Sequence, residues 1–496
     1  MQQSRGIVSY KNVNESYLRR RQLKRSAGSF FLWSLGVGAV ISGDFFGWNY
    51  GLAAGGFWGL TIATFVIAIM YLCMVYSLAE LSAALPHAGG FYSFTRNAFG
   101  PFWGFICGIA VVVEYVLTTA AIVFSMSNYL KPLIPSVPSY LVWLLSYTIF
   151  VAIAIYSLEL TLNVSIFLTL AAILVLGIFY ASMLGADVFK PELLFNVPAN
   201  PGQSAIWLPK GWQGVFASIP YAIWFYLAIE ILPLASEETD DVPGNMPQAL
   251  ILGMFTLIAL SVLTLVLNSG VGGGAAAIGQ SNVPLKDGLE AYFGKGATSD
   301  FLTVVALTFG LVASFHTVIY GYGRSLFSLS RAGYLPRWIS VTSENNTPYR
   351  ALILGTVIGL ICVMLVDIGS DAVDAVILNM AVFAAIISYI LVMLSYIKLK
   401  LSCPNLPRPY KSPLGAIGAT IGAILAIFAL VACYSVPAYQ PGIRGIAVVL
   451  IVATFYFFFH SRNQLVAQAP EEAVALSNSK WTASRCANKI AKRPEH

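Results

Sequence analysis

The sequence predicts an all-α polytopic membrane protein: twelve transmembrane helices, of which ten form two five-helix repeats and two are accessory. Three observations carry that prediction. Of 496 residues, 58% are hydrophobic and only 10% are charged, where soluble domains carry about 25% charged residues. Apolar stretches long enough to cross a bilayer, about 20 residues each, recur along the chain. The first and the sixth of these are interrupted at corresponding places, which is the sequence pointer to a binding site at the membrane midplane.

Taken in order, residues 1–27 are polar and basic, too long and too charged before the first apolar run for a signal peptide, and are expected to be a retained cytoplasmic tail. Apolar spans are expected at 29–53, 57–84, 101–130, 139–158, 162–185, 214–235, 248–271, 300–329, 351–367, 372–398, 414–435 and 443–460. Between the fourth and fifth, only Glu159 and Asn163 mark a break. The transport-type core is bounded at 28–400, with halves 28–186 and 214–400, and residues 401–461 hold the accessory helices 11 and 12. Residues 462–496 are polar with Pro, Ser and Lys, and are expected to be a disordered tail. The segments 187–214 and 278–296 are expected to form lids on the face opposite the tails.

Twelve spans put both tails on one side. On that topology 22 Lys and Arg lie on the tail side and six opposite (Lys131, Lys190, Lys210, Lys286, Lys295 and Arg444). This excess makes the tails cytoplasmic in a plasma (inner) membrane. The net charge of +6 is explained by that bias and implies no nucleic-acid partner. Six cysteines without CxxC spacing and four dispersed histidines indicate neither a disulfide framework nor a metal site, and no cofactor is implied. No Walker A, HExxH or nucleophile elbow is present, which argues against an enzyme.

The first span carries the chemistry. Gly36, Gly38, Gly43, Gly47 and Gly51 punctuate it, with Ser42 and Asp44 near its middle. Glycine costs a helix roughly 1 kcal/mol relative to alanine, and an acid at membrane depth costs about 2.5–3.5 kcal/mol. A segment bearing both at one point reads as a broken helix lining a polar cavity. Asp44 then faces an ammonium ligand, together with the freed carbonyls of Val40 and Ile41. The competing reading is a structural acid that caps the half-helix. Span 6 carries Pro220, Glu230 and Pro233, with Trp224 and Phe225 placed to form a cation–π lid or simply to pack. Glu114, midway along span 3, and Glu230 are each a proton carrier or a neutral, hydrogen-bonded acid. His316 in span 8 reads as a titrating switch or, more simply, as a satisfied interior histidine.

Three ordered motifs resemble those of the amino acid–polyamine–organocation (APC) permeases over roughly residues 28–460. Gly38-Ala-Val-Ile-Ser-Gly-Asp-Phe-Phe46 is similar to the family's broken-helix G-A-x-I-G-S-G-I-F. Pro86-His-Ala-Gly-Gly-Phe-Tyr-Ser-Phe-Thr-Arg-Asn-Ala-Phe-Gly100 is similar to P-x-x-G-G-x-Y-x-y-x-R-x-x-F-G. Ser325 to Pro336, followed by Thr347-Pro348, resembles the family's motif at the end of span 8. The resemblance implies a five-plus-five inverted repeat of the leucine-transporter type, alternating access, and substrate held between spans 1, 3, 6, 8 and 10. Trp224 with Glu230 six residues on resembles the gating Trp and following Glu of arginine/agmatine-type antiporters. By the same resemblance, the segment Trp224, Phe225, Tyr226 and Ala228 lines the substrate site with Val40, Ile41, Ser42, Gly43 and Asp44.

Two departures are informative. Amino-acid carriers place Gly-Ser-Gly in helix 1, where bare N–H groups hold the substrate carboxylate; this chain has Ser42-Gly43-Asp44. A carboxylate there repels a carboxylate and attracts an amine. The longer string Ile41 to Gly56 resembles the ethanolamine permease branch, which implies import of ethanolamine or a similar small cationic amine. An amino-acid or polyamine permease is the alternative. Near Glu237, where relatives carry N-P-x-R-x-x-P, the chain has Glu-Glu-Thr-Asp-Asp-Val-Pro-Gly-Asn-Met-Pro, so the tail-side gate contacts differ. Span 5 lacks the Lys that replaces a sodium ion in some proton-coupled relatives, so the coupling ion stays open between proton, sodium and none. Monomer and homodimer are equally compatible with these patterns.

Overall fold

A computed structural model of the chain describes residues 2–5, 7–23, 27–184, 188–368 and 371–473. Among them, eleven helices are long and apolar enough to cross a membrane, and the shorter apolar helix Ser29–Asp44 makes a twelfth pass. Span 1 is α-helical over Ser29–Val40 and tightens to a 3-10 turn over Ile41–Asp44. Helix resumes at Tyr50 and runs to Ala84, but Gly56, at φ 74° and ψ 178°, divides that run. The outer half of span 1 ends there and span 2 begins. A Cβ on Gly56 would stand 2.4 Å from the Pro209 ring, so both backbone and space require glycine at this corner.

Span 3 is Pro101–Leu130, span 4 Ser139–Tyr156 and span 5 Leu158–Leu184. The break between spans 4 and 5 falls at Ser157, extended at φ −160°, a few residues before the polar pair that marked it in the sequence. Span 6 is α-helical over Gly211–Trp224, unwinds through Ala228, and continues as a 3-10 helix over Ile229–Glu238. Span 7 is Val242–Ser269. Span 8 comprises Ala297–Ala306, a π-turn over Leu307–Leu311 and Val312–Arg331. Spans 9 to 12 are Tyr349–Ile368, Asp371–Ser402, Gly415–Tyr434 and Gln440–Phe459. Spans 3 and 6 are 83% buried over their apolar windows and span 12 only 22%, which places the former inside the bundle and the latter at its rim.

The tails depart from the sequence reading. Residues 2–11 form a hairpin of β1 (Gln2–Arg5) and β2 (Val8–Lys11), and β3 (Leu465–Val466) pairs parallel with β2. The tail expected to be disordered from Arg462 is therefore folded over its first dozen residues. Its order comes from ion pairs to Arg96 and Arg331, which lie 376 and 140 positions away in sequence. Local composition does not register such partners. Beyond residue 473 the expectation lies outside the described residues.

In the turn after span 2, within reach of Glu471, Glu237 and Arg331, His87 is 8% exposed. Burial pushes its imidazole below the ordinary range near 6.5, outweighing the opposite pull of Glu471 and Glu237, and Arg331 adds to the depression. A histidine depressed on folding contributes stability that is full above about 6.5 and is lost as pH falls toward its folded value. The melting temperature in detergent should therefore drop on acidification below about 6.5. His87→Gln should flatten that slope; an unchanged slope would exclude His87 as its source.

Candidate substrate site and gates

The two broken spans meet at one point. A Cβ on Gly43 would stand 2.4 Å from the Trp224 carbonyl oxygen and 3.3 Å from the Phe225 Cα, so only glycine lets the unwound backbones touch. The groups freed by the break find partners. Ser314 of span 8 accepts from the Ser42 N–H at 2.9 Å and donates to the Gly38 carbonyl at 2.7 Å. The Ser42 carbonyl accepts from the N–H groups of Phe45 and Phe46, while Val40 closes the α-helix and Ile41 opens the 3-10 turn. In span 6, Ala228 sits in the left-handed region at φ 85°, a strained position for a residue with a Cβ and one typical of functional segments. Gly43→Ala should force spans 1 and 6 apart, abolishing uptake and costing about 1–3 kcal/mol; normal uptake by this variant would contradict the close contact.

Asp44 lies in the 3-10 turn and is 1% exposed. Its Oδ1 accepts from the Thr264 hydroxyl of span 7 at 3.0 Å, and Thr264 pairs with the Tyr180 hydroxyl of span 5 at 2.6 Å. Oδ2 is buried and has no hydrogen-bond partner among the described residues. The carboxyl thus turns partly toward spans 5 and 7, outside the five spans that the resemblance implied. Tyr226 also turns to span 7, its hydroxyl 2.8 Å from the Ser261 hydroxyl. A buried acceptor without a donor is costly, a state that both Glu114 carboxyl oxygens and Glu230 Oε2 share.

Above this point a cavity of about 560 Å³ opens away from the tails, lined among others by Phe46, Gly47, Tyr50, Phe124, Ser125 and Tyr221. Among the described residues, none that line it is ionisable as an acid or base other than tyrosine. Phe46 meets Trp224 edge-on at 5.5 Å, and the Trp224 indole lies against Gly47, whose φ of 90° brings it close. Phe225 stacks on Trp48 instead. The aromatic pair expected from Trp224 and Phe225 is therefore split, and Phe46 takes the second place. On the cavity's rim, Asn49 Nδ2 donates to the carbonyls of Ile278 and Ser281, and Tyr50 donates to Asn282. These bonds clip the loop after span 7 onto span 1.

A second polar group lies around span 6. Glu230 Oε1 accepts from the Tyr389 hydroxyl at 2.9 Å, and Tyr389 pairs with Tyr71 at 2.9 Å. Glu114 is fully buried on span 3, and neither of its carboxyl oxygens has a hydrogen-bond partner among the described residues. Neither acid forms an ion pair among the described residues. His316 does not join them. Its Nε2 contacts the Thr161 carbonyl at 2.9 Å and its ring packs on Phe150, in the interface of spans 4, 5 and 8.

Toward the tails, the acids that replace the family's basic motif find partners on span 8. Arg324 donates to Glu238 at 2.9 Å, and Tyr320 donates to the same carboxylate. Arg331 Nη1 donates to Glu237 Oε2 at 2.8 Å. The tail side is closed by these pairs while the opposite side is open to the vestibule. Thr264, Tyr180, Tyr71, Tyr389 and the C-terminal acids Glu471 and Glu472 are not singled out by the sequence. A Thr or Tyr within a uniformly apolar run gives no sign of the direction it faces.

Two helices broken against each other at mid-span, an open vestibule on one side and an ion-paired closure on the other are the architecture of a membrane transporter. The chain belongs to the family described as amino acid permease, whose pattern matches residues 29–459, and so to the APC superfamily; it is a permease and not an enzyme. It is 26% identical to an uncharacterised transporter of Rhizobium meliloti (strain 1021), covering 89% of this chain and 93% of that one. Similarity to a branched-chain amino acid permease of Bacillus subtilis (strain 168) is 26% identity, over 79% of this chain and 84% of the relative. A methylthioribose transporter of the same organism is 24% identical, over 90% and 95%.

Proposed function

We propose that the protein imports ethanolamine or a similar small primary amine across the plasma membrane by alternating access, with both termini cytoplasmic. The unpartnered Oδ2 of buried Asp44 carries this reading. An ammonium supplies both the positive charge and the N–H donor that this atom lacks. The Gly43 backbone and the unwound segment from Phe225 to Ala228 take the hydroxyl and the remaining N–H groups. Phe46 and Trp224 separate the site from the vestibule, whose described lining is uncharged.

The membrane potential favours entry of a monovalent cation by about 2.3 kcal/mol per 100 mV, so the energetics do not require a coupled ion. Where a proton is coupled, buried Glu114 or Glu230 is its carrier, and Tyr389 and Tyr71 extend Glu230 by two hydroxyls.

The second reading is an amino-acid permease, favoured by the named relatives, one of which carries branched-chain amino acids. Uptake of labelled ethanolamine into proteoliposomes, competed by alanine, arginine and putrescine, separates the two. Competition by unlabelled ethanolamine alone supports the amine reading, whereas uptake displaced by alanine returns the chain to the amino-acid carriers.

A further inference from the structure

Arg331, at the end of span 8, is held by two carboxylates from different parts of the molecule. Glu237 comes from the end of span 6 and receives Nη1 at 2.8 Å. Glu471 comes from the C-terminal segment and receives Nε at 3.1 Å. Arg331 is 2% exposed and Glu471 is fully buried.

The segment bearing Glu471 is anchored on the span 8 side. Ser328 donates to Glu471 at 2.6 Å, the Val466 N–H to the Ala332 carbonyl at 3.0 Å, and Ser461 to the Tyr334 carbonyl at 2.6 Å. Gly333, at φ 91°, lets it dock: a Cβ there would stand 2.3 Å from the Gln464 carbonyl oxygen. The neighbouring Glu472 takes Arg96 Nε at 2.8 Å and the hydroxyls of Tyr10 and Tyr334. Glu471 is therefore bonded to span 8 through Ser328 and Arg331, while Glu237 belongs to the end of span 6.

We propose that Glu471 is the resident counter-ion of the tail-side gate, a positioning residue that keeps Arg331 paired when Glu237 withdraws. Alternating access requires span 6 to part from span 8 on the tail side. With Glu237 as its only partner, a buried Arg331 would be stranded at that moment, and breaking a buried pair by losing one partner is strongly unfavourable. With Glu471 in place the guanidinium is paired in both states, and the gate opens without an orphaned charge. The C-terminal segment is thus a working part of the gate. This rests on the alternating-access reading and is independent of which substrate is carried.

The two acids predict opposite effects. Without Glu471, the Arg331–Glu237 pair becomes obligatory and the closed gate is favoured. Without Glu237, Arg331 is satisfied by Glu471 in either state and opening is eased. The test is pulsed-EPR distance measurement on full-length protein in liposomes without substrate, with spin labels at exposed Asp240 and Glu344. Glu237→Gln should raise the open-to-closed ratio, and Glu471→Gln lower it, each by roughly five-fold or more. Should Glu471→Gln fail to fold, Ser328→Ala loosens Glu471 and should shift the ratio toward closed. Shifts of the same sign, or an unchanged ratio, would overturn the proposal and leave the segment a packing element. Because no substrate is present, neither result depends on the ethanolamine reading.

Discussion

Asp44→Asn should bind ethanolamine at least about a hundred-fold more weakly than the wild type, because truncating one partner of a buried charge pair costs 2–5 kcal/mol or more. The variant should nevertheless fold. Asparagine keeps an acceptor for Thr264, which donates to Oδ1 at 3.0 Å. Its melting temperature should stay close to that of the wild type, since the amide matches the carboxyl in shape and keeps that bond. This combination, affinity lost and stability kept, separates a ligand-binding acid from one that caps the broken helix. A capping acid would give the reverse: a lower melting temperature with affinity near normal. Titration calorimetry and a thermal melt on the same purified sample decide between them.

Arg331→Ala should be the most destabilising single substitution on the tail side, by about 3–5 kcal/mol. It strands two carboxylates at once. Glu471 would be left with the Ser328 hydroxyl, and Glu237 with the Ala88 N–H at 3.1 Å. Arg331→Lys should recover only part of the loss, since an ammonium cannot present the planar fork that Arg331 offers to both acids. Thermal melts of the two variants check this ordering. A melting temperature unmoved by Arg331→Ala would mean that the cluster is solvated and carries no closure.

Much of this architecture is legible along one dimension. Span boundaries follow hydropathy, and a membrane enforces them: span 3 was expected at 101–130 and is observed at Pro101–Leu130. The breaks are legible because Gly43 in span 1 and Pro233 in span 6 disfavour helix locally. Which way a residue faces is not legible in the same way. Span 7 is apolar on all sides, so nothing in its sequence distinguishes Thr264, which meets Asp44, from Thr256, which meets Trp33. Adjacent aromatics mislead for the same reason. Trp224 and Phe225 are neighbours in the chain, yet unwinding after Trp224 sends one ring to Phe46 and the other to Trp48. Least legible is the C-terminal segment, whose acids act through partners more than a hundred residues away. The missing basic residues near Glu237 did point to an altered gate, but the arginines that complete it lie on span 8.

On the proposed reading, the buried carboxyl of Asp44 at the break of span 1 selects a cationic amine over a zwitterion. Calorimetric titration of the purified wild-type protein with ethanolamine, beside alanine, choline and putrescine, tests it most directly. Saturable heat with ethanolamine and none with alanine is the predicted result. Saturable heat with alanine and none with ethanolamine would contradict the claim, leaving Asp44 a structural acid in an amino-acid carrier.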